Sequence, residues 1–189
     1  FAMSEAFMII FKKKNISFKA SDASTKKLGS IKLTKQEVKE IAPVVGRSSI
    51  LGFFVGVLPG AGATIASFLA WGFERTIAPV KERLNFGKGS IKGLAAPETA
   101  NNAACTGSFV PLLTLGIPGS GTTAVMLGAL LSFGVQPGPR LYVEQPEIFW
   151  AVIISMYIGN IVLLILNLPL IPYIARILAI PQKILVPLV

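Results

Sequence analysis

The chain has no histidine, a single cysteine (Cys105) and a single aspartate (Asp22). Without histidine, Ser-His and Cys-His catalysis and zinc–histidine sites are excluded within this sequence. One cysteine allows no internal disulfide and no cysteine-rich metal site. One aspartate leaves no aspartyl dyad. Charge is scarce too, at 14% of the 189 residues. What fills the chain is apolar: 52% hydrophobic residues and a mean hydropathy of +0.67 place it in the membrane class. Residues 147–168 form an apolar run in which only Glu147 is charged, and about 20 such residues cross a bilayer core.

The few charges are unevenly placed. Residues 1–92 carry 15 of the 18 basic residues and six acids, whereas residues 93–189 balance three of each. The excess lies in two stretches, residues 12–40 and 74–92. Between apolar segments such basic stretches read as positive-inside topology, on the cytoplasmic side, rather than as a nucleic-acid surface. The loop at 134–146 ("GVQPGPRLYVEQP") has no basic excess and suits the opposite side. Trp71, Tyr142, Trp150 and Tyr173 fall near predicted span ends, where aromatic belts form.

The expected organisation is an all-α polytopic membrane protein. Residues 1–11 read as the end of an upstream transmembrane helix, 12–45 as a basic cytoplasmic linker and 46–189 as a membrane transport domain. Phe1 in place of Met, and the apolar run closing the chain, read as a piece cut from something longer. Thr34 and Glu37 have capping-box spacing, predicting a short amphipathic helix start. The 26 residues at 48–73 fit either one tilted span or a hairpin that re-enters from the cytoplasmic side. Basic residues on both flanks favour the hairpin. Residues 95–133 are too long for one span and contain a break. Pro169 and Pro172 are expected to end the span that starts at Glu147. Small residues recur every four positions at Gly52, Gly56 and Gly60, and at Ala124, Gly128 and Ser132, the spacing that lets helices approach closely.

Two breaks share one pattern. "VGVLPGAGATIASF" contains Pro59-Gly60-Ala61-Gly62-Ala63-Thr64, and "LGIPGSGTTAVMLG" contains Pro118-Gly119-Ser120-Gly121-Thr122-Thr123. A helix restarting after such a break leaves its first N–H groups without intrahelical partners, which is costly at membrane depth. Those groups and the positive end of the helix dipole suit an anion, and glycine lets a ligand or another backbone come close. Matched broken helices facing a central site are a pattern of secondary transporters. The candidate substrate-binding residues are Pro59, Gly60, Gly62, Thr64, Pro118, Gly119, Ser120, Gly121, Thr122 and Thr123. The Gly-Lys-[Ser/Thr] of a nucleotide phosphate loop is absent.

A second constellation is Glu98-Thr99-Ala100-Asn101-Asn102. On a helix Glu98, Asn101, Asn102 and Cys105 share a face. One carboxylate with amide oxygens suits Na+, or a proton carried on Glu98, so these residues are candidates for cation coupling. The alternative places Glu98 beside Pro97 in a first helical turn, stabilised there by the helix dipole. No firm metal site and no other cofactor is read.

The stretches "GVLPGAGATIASFLAWGFER" and "FGKGSIKGLAAPETANNAACTGSFVPLLTLGIPGSGTTAVMLGALLSFGVQPGP" resemble the large permease subunit of tripartite tricarboxylate transporters. The resemblance runs from about Gly46 to Leu168 and is most specific over residues 93–139. It implies roughly the second half of that subunit, one half of an inverted-repeat carrier, truncated at its C-terminus. It further implies a multi-pass protein of the bacterial inner membrane. Its partners would be a small membrane subunit and a periplasmic solute-binding protein, and a cation gradient would drive uptake of citrate-like carboxylates. The rivals are an anion channel or another anion carrier and, with fewer parts present, a membrane-embedded enzyme using Glu98 as a base.

Overall fold

The computed structural model describes residues 33–177, and among these the protein is all-helical, with no strand. The upstream span expected at 1–11 and most of the linker lie outside the described residues. The described end of the linker is helix. Helix α1 (Lys35–Val57) starts on the Thr34–Glu37 capping box. The Thr34 hydroxyl accepts from the Glu37 N–H at 3.3 Å, and the Glu37 carboxylate accepts from the Thr34 N–H at 2.7 Å. The helix is not short. It continues through Pro43, whose position and that of Lys39, four residues earlier, are exposed, so the carbonyl that loses its N–H partner can turn to solvent.

Residues 48–73 are not one span. α1 ends at Val57, the chain turns through residues 58–61, and α2 (Gly62–Ile77) runs back. Arg47 and Glu74, nearly equidistant in sequence from that turn, are joined by two charge-assisted hydrogen bonds, Nε–Oε1 at 2.7 Å and Nη2–Oε2 at 2.8 Å. The pairing fixes the hairpin. Glu74 is only 3% exposed and Arg47 42%, so losing the arginine would leave a largely buried carboxylate without its partner.

A short helix, α3 (Val80–Arg83), leads to α4 (Ile91–Gly107), which starts on Ser90, whose hydroxyl accepts from the Gly93 N–H at 3.1 Å. α4 packs against both arms of the hairpin around Val44, Ala66, Ala70, Ala96, Ala100 and Ala104. Gly52 and Gly56 make this seam close. A Cβ added at Gly52 would come within 2.6 Å of the Ala100 Cα, and one at Gly56 within 2.5 Å of the Ala104 Cα. Backbone therefore lies on backbone, as the four-residue spacing predicts. Gly60, expected to continue that stripe, lies instead in the turn. At the basic end, Lys92 bonds Glu82 at 2.8 Å and reaches Glu40 at 3.7 Å. Hydrogen bonding to Glu82, with the charge of Glu40 adding to it, raises the Lys92 pKa above the usual lysine value.

Ser108 joins α4 to α5 (Phe109–Leu115), which stops at Gly116 in the left-handed region, φ +69°. α6 (Gly121–Ser132), α7 (Leu141–Glu144) and α8 (Pro146–Ile177) follow. Leu113, Leu130, Val135 and Leu141 form a second apolar cluster that also takes in Phe149 at the start of α8. The Ala124–Gly128–Ser132 stripe packs on nothing described, and all three residues are exposed. α8 runs through Pro169 to Ile177, so the prolines do not end it. Proline's fixed φ is compatible with helix; its cost is the lost hydrogen bond and the ring's clash with the carbonyl four residues earlier, which helix on both sides outweighs here. Residues 33–154 form one compact unit, and the rest of α8 belongs to another. Among the described residues, α1 and the Pro146–Ile171 part of α8 are long and apolar enough to cross a membrane.

Candidate functional site at two facing helix breaks

The two Pro-Gly breaks meet. The Gly60 N–H donates to the Gly119 carbonyl at 3.2 Å, tying the turn before α2 to the turn before α6. Gly119 is buried against Ser108 and the Gly56 carbonyl. A Cβ there would lie 3.2 Å from the Ser108 Cβ and 3.4 Å from the Gly56 oxygen. Ser108, itself only 4% exposed, is held by its hydroxyl donating to the Cys105 carbonyl at 2.7 Å. Gly56 and Ser108 thus form the floor beneath the second break. The sequence gives little sign of that role, beyond small residues standing beside apolar runs.

The two restarted helices differ in how their N-termini are satisfied. At α2, Gly60 and Gly62 have φ of +82° and +68°, and no side chain caps the helix. Its first N–H groups, from Gly62 to Thr64, have no intrahelical acceptor. Pro59, Gly60 and Thr64 are exposed. At α6 the sequence caps itself. The Ser120 hydroxyl accepts from the Thr123 N–H at 3.3 Å, and the Thr123 hydroxyl accepts from the Ser120 N–H at 2.8 Å. Thr123 also donates to the Ser120 carbonyl at 2.9 Å and is 1% exposed. Expected to face a ligand, Ser120 and Thr123 instead face each other, while Gly121 and Thr122 remain exposed. Gly121 has an ordinary φ, and a Cβ added there would meet no atom within 4 Å.

α4 begins seven residues before Glu98, which is therefore mid-helix. That rules out the first-turn alternative. Glu98, Asn101, Asn102, Cys105 and Thr106 share an exposed face, away from the alanines of the seam. Their side chains bond along their own helix: Asn102 Nδ2 donates to the Glu98 carbonyl at 2.8 Å, Thr106 to the Asn102 carbonyl at 3.1 Å and Cys105 to Asn101 Oδ1 at 3.7 Å. Among the described residues, no group of three or more acidic, histidine or cysteine side chains comes together that could hold a metal.

Comparison with known proteins decides what this arrangement belongs to. The sequence matches the Tripartite tricarboxylate transporter TctA family over residues 1–189. The chain belongs to that family. This is a family of transporters, not enzymes, so a membrane-embedded catalytic role for Glu98 is set aside. Two curated relatives come from Agrobacterium vitis. An uncharacterised 52.8 kDa protein of the TAR-I ttuC′ 3′ region is 44% identical over 166 residues, covering 88% of this chain and 33% of the relative. An uncharacterised protein of the TAR-II ttuC′ 3′ region is 48% identical over 136 residues, covering 72% of this chain and 55% of the relative. The chain therefore spans about a third to a half of the length of these relatives. No solved structure matches it.

Proposed function

We propose that the chain carries the substrate-binding half of a permease that takes up tricarboxylates or related carboxylates, driven by a cation gradient and fed by a binding protein. The single observation that carries this reading is the Gly60–Gly119 hydrogen bond, which sets two helix restarts side by side. One restart offers uncapped N–H groups at Gly62–Thr64, and the other adds the exposed Gly121 and Thr122. A carboxylate near a helix N-terminus gains about 0.3–2 kcal/mol from the dipole. A multiply charged anion can engage both restarts at once.

Depth is consistent with a carrier site. From Ser48 to Val57, and from Gly62 to Phe73, the hairpin arms are free of charge. At 1.5 Å per residue these arms reach about 15 and 18 Å, roughly half of a 30 Å core. With the Arg47–Glu74 pair at the cytoplasmic boundary, the breaks come to lie near the middle of the membrane, as in re-entrant carriers. In this reading the protein is a multi-pass component of a bacterial inner membrane, one half of an inverted repeat. It works with a small membrane subunit and a periplasmic binding protein, as the family's tripartite description implies. In this reading Glu98, Asn101 and Asn102 serve cation coupling by Na+ or H+, or line the substrate path from α4.

The test is uptake by the full-length complex in proteoliposomes, with citrate and a panel of dicarboxylates, with and without a Na+ gradient. Saturable, gradient-dependent uptake of a carboxylate is expected. Anion currents far above carrier turnover would instead make the paired breaks a channel filter. Uptake indifferent to every cation gradient would remove the coupling role.

A further inference from the structure

The breaks leave unexplained a basic cleft at the other end of the hairpin. Trp71, Gly72, Arg75, Thr76 and Arg83 line an open space of about 350 Å³. Arg75 lies 5.2 Å above the Trp71 ring, and that ring packs edge-on against Phe86 at 6.0 Å. Arg83 is held in place by donating from Nε to the Ala78 carbonyl at 2.8 Å and from Nη2 to the Thr76 carbonyl at 2.5 Å. The cleft thus contains two arginines and no acid. The neighbouring acids are engaged elsewhere: Glu74 by Arg47, and Glu82 by Lys92. Among the described residues Arg75 has no ion-pair partner.

We propose that this cleft binds the phosphate of an anionic phospholipid from the leaflet that borders the basic loops. Three features select a lipid over a soluble anion. Trp71 is an interfacial residue type, amphipathic and suited to the headgroup level. Arg75 stacks on it, which leaves the guanidinium edge free for phosphate oxygens. Along α2 toward the breaks, Ile65, Phe68 and Leu69 are exposed, Phe68 by 73%. They lead away from the arginines as an apolar track, and Gly72 leaves it open beside the cleft. A diacyl phosphate would place its charge on Arg75 and Arg83 and its chains along that track. Basic pockets on the cytoplasmic side of membrane helices bind anionic headgroups by this chemistry.

The experiment uses the full-length permease with its co-purifying subunits, titrated in detergent with phosphatidylglycerol or with phosphatidylcholine of equal chain length. Bound lipid is counted by native mass spectrometry. The wild type is expected to retain phosphatidylglycerol in preference to phosphatidylcholine. Arg75→Gln should lower that occupancy about fivefold, the effect of one basic side chain near an anionic surface. Arg75→Lys should keep the preference, showing that charge and not folding is at issue. Lys88→Gln, in the same basic loop but outside the cleft, should change nothing. Equal retention of the two lipids, an unchanged Arg75→Gln, or a Lys88→Gln as defective as Arg75→Gln would overturn the proposal. So would loss of a co-purifying subunit from Arg75→Gln, because the cleft would then be a subunit contact.

Discussion

The two breaks share a motif and differ in what they leave unsatisfied. The break before α2 uses two glycines with positive φ and has no side-chain cap. The break before α6 is capped by its own Ser120 and Thr123, and its Gly119 is packed too closely to carry a side chain comfortably. A repeated sequence has therefore produced an open helix end and a self-satisfied one, held together by a single backbone hydrogen bond. Pattern alone marks both as sites. The hydrogen bonds leave the first helix start uncapped and close the second on its own side chains.

Substitutions can break this contrast at three levels. The largest effect is expected from Gly119→Val. Its Cβ would press on Ser108 and Gly56, and its branches would crowd them further. Overpacking of this kind costs about 1–3 kcal/mol, so the purified complex should melt earlier and transport little. A variant with wild-type melting and uptake would mean that the two breaks do not pack as described.

Next come two alanines compared with each other. Gly60→Ala meets no atom but must adopt φ near +82°, which costs a non-glycine residue about 1–2 kcal/mol. Gly121→Ala has both space and an ordinary φ, so its stability should change by no more than about 0.5 kcal/mol. Thermal unfolding of the two variants should separate them. A destabilised Gly121→Ala would contradict a helix start with room around it. A drop in its uptake at unchanged stability would mark close ligand approach.

The smallest effect on uptake is expected from Thr123→Val, which removes the Thr123 hydroxyl's half of the α6 capping box for about 1 kcal/mol and leaves the Ser120 hydroxyl accepting from the residue 123 N–H. It should shift melting and leave the apparent KM for carboxylate near wild type, because the hydroxyl faces Ser120. Thr64→Val and Thr122→Val should do the reverse, raising KM with little effect on melting. A raised KM in Thr123→Val alone would return that hydroxyl to the ligand.

The hairpin, both breaks, the Thr34–Glu37 helix start and the Gly52–Gly56 seam were legible in the sequence, because each follows from local chemistry: glycine and proline at turns, capping spacing, small residues at helical intervals. What was hidden depended on partners far along the chain. Nothing local in the sequence pairs Arg47 with Glu74, 27 residues apart; the hairpin brings them together. Thr123 read as a ligand hydroxyl because Ser-x-x-Thr lacks the acid that usually advertises a capping box. Pro97 suggested a helix start, yet α4 begins at Ile91 on Ser90, whose serine cap lacks an acid three residues on. The prolines at 169 and 172 are weaker stops than they look where helix continues on both sides.

The seam between α1 and α4 has a mechanical meaning. Side-chain interfaces can slip, since rotamers re-form around a displaced neighbour. Here backbone rests on backbone at Gly52 and Gly56, and there are no rotamers at the contact to rearrange. A slip along the seam that set a neighbour such as Leu51 or Phe53 in place of Gly52 would drive its Cβ into the α4 main chain at Ala100. The joint between α1 and α4 therefore resists sliding more than an interface of side chains would.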